Sequence, residues 1–168
     1  MAGGTLAWAL AIAGYSVVML EARPHSSESV PSLLDERSVA LSWSSRILLE
    51  SLGLWAGIAD QVCAIEHIHV SEKGRLGATR LHADEEGVEA LGYVVRNSVF
   101  LKALYARLES CSGLIIESGA RVDQICQLDG GVELNYLTGD SHATLRARLA
   151  IACDGSNSSV KSLLGAED

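Results

Sequence analysis

The chain has 168 residues, enough for one domain with its own core, and its 48% hydrophobic and 20% charged residues exclude a disordered chain. A formal charge of −8, with no cluster of Lys and Arg, excludes the electrostatic footprint of a nucleic-acid-binding protein. Cys63, Cys111, Cys126 and Cys153 are widely spaced without a CxxC pair, so they read as free thiols of a reducing compartment rather than a disulfide framework.

No charged residue occurs from Met1 to Leu20. A signal peptide would need a positive segment before the apolar run, and none is present. Gly3-Gly4 and Gly14-Tyr15-Ser16 cut the run into pieces too short to span a bilayer. The segment therefore reads as two buried elements, a helix over Thr5 to Ala13 and a strand over Ser16 to Leu20. Gly14 stands where a helix-terminating glycine belongs. Strands covered on both faces are continuously apolar, as this one is.

A polar loop follows from Arg23 to Ser29. Ser38 to Leu52 reads as a helix, with Leu41, Ile47, Leu48, Leu49 and Leu52 as its candidate buried face. Leu54 to Val62 reads as a shorter helix. Strands are expected over Ile65 to Val70, Arg75 to His82 and Leu91 to Val95. Asn97 to Glu109 is expected to be a helix with a Leu101, Leu104 and Leu108 stripe. The last third is strand-rich: Leu114 to Ile116, then a three-stranded meander over Ala120 to Gln127, Val132 to Leu137 and Thr144 to Cys153. Asp129-Gly130-Gly131 and Gly139-Asp140 supply its turns. Asp154 to Ser158 is a loop, and Ser159 to Leu164 starts a helix.

A dinucleotide fold needs a strand, a Gly-rich turn, a helix whose N-terminus faces the pyrophosphate, and a second strand ending in an acid that binds a ribose hydroxyl. The later parts of that unit are present. Gly3-Gly4 opens the helix, and Glu21 ends the next strand at the spacing of roughly 20 residues that a ribose-binding carboxylate requires. The first strand and the first glycines are missing, which leads us to expect a chain truncated at its start. Paired glycines and a Glu after a strand are common, so the motif alone leaves a helix cap and a solvated carboxylate as an equal reading.

Five ordered segments carry more weight together. Met1-Ala2-Gly3-Gly4-Thr5-Leu6-Ala7 resembles the end of the Gly-Gly-Gly-Met-Ala-Gly turn in FAD-dependent aromatic hydroxylases of the para-hydroxybenzoate hydroxylase type. Within them it is most similar to the ubiquinone-biosynthesis hydroxylases. Val18 to Ala22 resembles their ribose-binding strand end. Asp35-Glu36-Arg37-Ser38-Val39-Ala40-Leu41 resembles their Asp-x-Arg-x-x-Ala-Leu segment. Leu91 to Val95, with Asn97 and Leu104, resembles the strand and helix that pass close to the flavin. Ala152 to Lys161 resembles their Ala-Asp-Gly-x-x-Ser-x-Val-Arg motif, the most specific of the five.

The resemblance implies an α/β, Rossmann-like FAD-binding domain in three layers, a mostly parallel sheet plus a β-meander, truncated at both ends. Residues 1–168 would be a partial FAD-binding domain, with about 63–95 on the substrate side. It implies an FAD-dependent monooxygenase that hydroxylates a phenolic, polyprenylated ubiquinone precursor with NAD(P)H and O2. Cofactor-binding residues carried over are Gly3, Glu21, Arg37, Asn97, Val122, Asp154 and Gly155, with Val122 giving backbone and packing next to the adenine. The same residues have plainer readings: Asp35 and Asn97 as helix caps, Arg37 as a surface arginine, Asp154 as a turn cap. No catalytic residue is named, since the cofactor carries the hard chemistry.

Departures are visible. Lys161 replaces the usual arginine, and Val95-Arg96-Asn97 replaces Val-Glu-Asn. The later Gly-Asp-Ala-x-His motif is absent, so the chain alone is expected to lack monooxygenase activity. A reductase or halogenase of the same fold, or a non-catalytic nucleotide-binding fragment, are the rival readings. The compartment is expected to be cytoplasmic, with peripheral contact to the inner membrane or a biosynthetic complex as an option because the substrate is polyprenylated.

Outside these motifs, His67 and His69 share a strand face and could hold a metal only with further ligands, so they read as a solvated face and no metal is expected. Trp8, Trp43 and Trp55 read as packing residues. Asp84, Glu85 and Glu86 read as a solvated turn.

Overall fold

A computed structural model describes residues 1–23, 37–155 and 158–165. Two compact units divide the chain. One joins residues 1–29 to 108–168, and the other is 30–107.

In the first unit, helix α1 (Ala2–Ile12) leads through Gly14 into strand β1 (Val17–Glu21). Gly14 has φ +89°, the left-handed conformation that lets the chain leave a helix without a Cβ clash. β1 pairs in parallel with β7 (Leu114–Ser118), from Val17 opposite Leu114 to Glu21 opposite Ser118. α1 packs on both strands, burying Ala7 and Ala11. Alanines at i and i+4 put a smooth face on the sheet, so helix and strands can approach closely.

The rest of this unit is the meander of β8 (Ala120–Leu128), β9 (Gly131–Thr138) and β10 (Ser141–Ala147), in sheet order β10-β9-β8 and antiparallel throughout. A bulge lies between Val122 and Gln124. Leu134 and Tyr136 are its buried central residues. The short helix α4 (Ser159–Leu163) packs against β8. The expected third strand was too long. β10 ends at Ala147, and residues 148–155 run on as irregular chain rather than strand to Cys153.

The second unit holds an antiparallel sheet in the order β2-β6-β3, formed by β2 (Ser38–Ser42), β6 (Gly92–Arg96) and β3 (Val62–Ile65). β2 corrects the helix expected over Ser38 to Leu52. Alternating burial turns Val39 and Leu41 inward against β6, and only then does helix α2 (Trp43–Ser51) begin. Ser42 makes the switch: its side chain accepts the Ser45 N–H and caps the helix. Of the expected apolar face only Leu49 is fully buried in α2, while Ile47 and Leu48 are about half exposed. The second expected helix resolves into two short 3-10 turns, Trp55–Gly57 and Ala59–Gln61. Helix α3 (Asn97–Glu109) has the expected bounds, and its buried stripe is Phe100, Leu104 and Leu108. That i, i+4, i+8 spacing is one helix face. A separate hairpin joins β4 (His67–Ser71) to β5 (Ala78–His82).

Parallel pairing is thus confined to β1–β7 among the described residues. The remaining pairs are antiparallel, which makes the architecture mixed α/β. No helix among the described residues is long and apolar enough to cross a membrane.

Candidate functional site

The N-terminus of α1 carries no side-chain cap and no acidic residue in its first turn. Its early N–H groups, with the positive end of the helix dipole, are the standard means of holding an anion. Gly3 lies in that first turn, and the chain after β10 crosses it. A Cβ built on Gly3 would stand 2.8 Å from the Cβ of Cys153. Only glycine admits that approach, so α1 and the segment leading to Asp154-Gly155 are packed backbone to backbone.

Asp154 then fixes the loop. Its Oδ1 accepts the Ser158 hydroxyl at 2.6 Å, and its Oδ2 accepts the Val160 N–H at 3.2 Å. Ser158 Oγ also accepts the Lys161 N–H at 3.0 Å and so caps α4. The Ser158 hydroxyl holds the Asp154 carboxyl below its ordinary value of 3.8. Slight desolvation opposes that, and the N–H groups of Val160, Asp154 and Ser159 add to it. Gly155 follows with φ +86°, a conformation that side chains rarely adopt. Of the two readings for Asp154, the turn cap is therefore observed directly.

Glu21 is the last residue of β1, and its Oε1 accepts the Arg23 N–H at 3.0 Å. That bond points the carboxylate over the exit of the strand. Val122 sits half-buried on β8 beside the bulge, opposite Tyr136, and β8 also runs against β1. Gly3, Glu21, Val122, Asp154 and Gly155 all belong to the first unit.

Arg37 and Asn97 belong to the second unit. Pairing of Ser38 with Arg96 brings their backbones together, and the Asn97 N–H donates to the Arg37 carbonyl at 2.8 Å. The Arg37 side chain is exposed. Asn97 opens α3, yet its Oδ1 is buried with no hydrogen-bond partner. A cap would have satisfied that oxygen, so the cap reading does not account for it. Asp35 and Glu36 of the same motif lie outside the described residues.

Sequence reasoning missed Cys153 and Ser158 as the residues that shape the loop. Ser158 could have been found: a Ser immediately before a helix start is a cap signal. The contact of Cys153 with Gly3 has no local signal. Trp43 and Trp55 are packing residues, as expected. Both flank Tyr93, at ring-centroid distances of 6.4 Å and 4.9 Å, and Arg46 lies over both indoles.

These features fit a dinucleotide. There is an uncapped helix start, a glycine whose missing side chain leaves room only for close packing, and a carboxylate at the end of the second strand. In the second unit, taken by itself, the Asn97 Oδ1 is an unused acceptor. The profile of the FAD binding domain family matches residues 1–167. The chain is 31% identical over 170 residues to ubiquinone hydroxylase UbiL of Rhodospirillum rubrum, covering 98% of this chain and 37% of that one. It is 29% identical over 165 residues to 3-demethoxyubiquinol 3-hydroxylase of Escherichia coli K12, covering 98% of this chain and 41% of that one. Among solved structures, p-nitrophenol 4-monooxygenase PnpA from Pseudomonas putida DLL-E4 shares the fold with a TM-score of 0.76 at 22% identity, over 96% of this chain and 40% of that one. The chain spans about two fifths of the length of the curated relatives it matches.

Proposed function

We infer the function from one premise: the chain belongs to the FAD binding domain family. We propose that it is a cofactor-holding part of a monooxygenase that hydroxylates the phenolic ring of a polyprenylated ubiquinone precursor, with NAD(P)H as reductant and O2 as oxygen source. The relatives named as ubiquinone hydroxylases support the substrate class. The observation that carries the reading is the Gly3–Cys153 contact, which joins the helix start and the Asp-Gly loop of the family pattern at one place in one unit.

Bound FAD would supply the redox chemistry, taking electrons from NAD(P)H and activating O2 toward an electron-rich ring. The chain's own residues do the holding. The first-turn N–H groups of α1 and the backbone at Gly155 take the pyrophosphate. Glu21 accepts from ribose hydroxyls at the end of β1. Val122 offers backbone and apolar surface to the adenine. In the second unit, Arg37 carries a permanent planar cation suited to a pyrophosphate or flavin, and Asn97 an unused Oδ1 suited to a flavin-edge donor. Asp154 holds its loop in place through Ser158 and Val160. Residues 63–95 belong to the substrate side, and exclusion of water from the reacting ring falls to that side.

The test is a titration of FAD into the purified chain, followed by flavin fluorescence. Glu21→Ala should weaken binding about ten- to hundredfold, the loss of a hydrogen bond to a charged group. Unchanged affinity would remove Glu21 from the site and with it the ribose contact. Turnover is tested separately in the complete protein that contains this chain. Phenol-dependent NAD(P)H oxidation with a hydroxylated product is expected, and oxidation with reduction of the polyprenyl chain would instead favour a reductase.

A further inference from the structure

Three imidazoles gather on one face of the β4–β5 hairpin, far in kind from anything the cofactor site uses. The register sets His67 opposite His82 and His69 opposite Arg80, and directly opposed residues of an antiparallel pair project to the same side. The other side carries Ile68, Leu81 and Val70. The polar face is therefore built of His67, His82, His69 and Arg80.

His67 and His82 meet directly. Their Nδ1 atoms are 2.9 Å apart, with ring centroids at 4.8 Å and planes at 63°. A nitrogen pair at that distance shares one proton: one ring donates from Nδ1, and the other must be unprotonated there. Two neutral imidazoles with facing lone-pair positions are also the minimal protein half of a transition-metal site. With metal–nitrogen bonds of about 2.0–2.1 Å, two nitrogens subtending a right angle are about 2.9 Å apart, while a tetrahedral angle needs about 3.4 Å. The observed separation is that of an N–H···N hydrogen bond, and a right-angled site needs the same distance.

We propose that His67 and His82 form a two-imidazole site for a divalent transition metal that favours cis, right-angled coordination, of the Ni(II) and Cu(II) class. On binding, the donating ring moves its proton from Nδ1 to Nε2, so both Nδ1 lone pairs face the ion and no net proton is lost from a neutral pair. Water fills the remaining positions. His69 does not join, because its Nδ1 accepts from Arg80 Nε at 3.4 Å. No group of three or more metal-ligating side chains occurs among the described residues, so two protein ligands define the site. The Arg80 guanidinium is the charged neighbour on that face, and its repulsion limits affinity without blocking the ligands.

The probe is Ni2+ alone, added to the purified chain with its thiols alkylated. Paramagnetic broadening should reach the imidazole protons of His67 and His82 first. His67→Asn and His82→Asn should each weaken binding by about tenfold or more, since even the supporting partners of a metal ligand carry that much affinity. His69→Asn should leave it unchanged. A variant that loses the hairpin would be seen in its amide spectrum. The wild-type chain then decides alone: the broadening should centre on the paired imidazoles of the folded hairpin. Broadening centred elsewhere, retention of affinity in both variants, or no binding at millimolar Ni2+ would each overturn the proposal.

Discussion

The Cβ of Cys153 lies 2.8 Å from where a Cβ on Gly3 would stand, so one hydrogen atom on Gly3 decides whether α1 and the Asp154 loop can share that place. In a helix an alanine is ordinarily better than glycine by about 1 kcal/mol. Here the clash involves two Cβ atoms, which no side-chain rotation can move, and overpacking of that kind costs about 1–3 kcal/mol. Gly3→Ala should therefore lower stability in the native background, read as a lower denaturation midpoint. Cys153→Ala keeps the offending Cβ and should not rescue it. Cys153→Gly removes it, and Gly3→Ala in that background should be neutral or stabilising. Equal effects of Gly3→Ala in all three backgrounds would dissolve the relationship.

Asp154 gives a pH signature. Its carboxyl is held below 3.8, chiefly by the Ser158 hydroxyl. The folded chain binds fewer protons there than the unfolded chain, so the loop's contribution is complete above the ordinary carboxylate range. It is lost as the pH falls through the lower, folded value. The amide resonances of Ser159 and Val160 should report a midpoint below 3.8. Asp154→Asn should abolish that titration. It should also weaken the start of α4, because an amide NH2 cannot accept the Val160 N–H. A midpoint at or above the ordinary value would show that the bonds do not favour the charged form.

Arg46 ties α2 to the turn after it. Its guanidinium stands 5.1 Å from the Trp43 ring centre and 5.5 Å from that of Trp55, and it pairs with Glu50 at 2.7 Å. Each ring contact is worth about 0.5–1 kcal/mol. The ion pair adds little because Glu50 is half exposed. Arg46→Ala should cost about 1–2 kcal/mol in a denaturant titration. Glu50→Gln should cost under about 1 kcal/mol. Arg46→Lys should fall between, since an ammonium keeps the charge but not the flat stacking surface. A larger loss from Glu50→Gln than from Arg46→Ala would invert this ranking.

What could be read from the residues divides along physical lines. α3 was legible to its ends because Asn97 and Glu109 bound a clean apolar stripe. The meander was legible because Gly130 and Gly139 mark its turns. β2 was not: Ser38 to Ser42 is five residues long and flows into α2 without a breaker, so a helical reading absorbed it. Only pairing with β6, fifty residues on in the chain, makes those residues a strand. α1 starts at Ala2, ahead of the expected Thr5, so that Gly3 and Gly4 lie inside its first turn, whereas the place of Glu21 at the end of β1 followed from local spacing. The Gly3–Cys153 contact and the His67–His82 pair did not, because each joins residues from separate elements.

Asn97 offers the sharpest separation of structural from functional roles. Its Oδ1 is buried and accepts nothing, and such an orphaned acceptor costs about 1–3 kcal/mol. Leucine has nearly the same shape and no polar atom. If the oxygen is kept for a cofactor donor, Asn97→Leu should hold or raise the stability of the chain, by up to about 1 kcal/mol after imperfect packing. The same change should weaken FAD binding about tenfold, the loss of one hydrogen bond of ordinary strength. The two readouts, a thermal melt without FAD and a fluorescence titration with it, should move in opposite directions. A fall in stability with unchanged FAD affinity would make Asn97 a structural residue of α3 and take it out of the site.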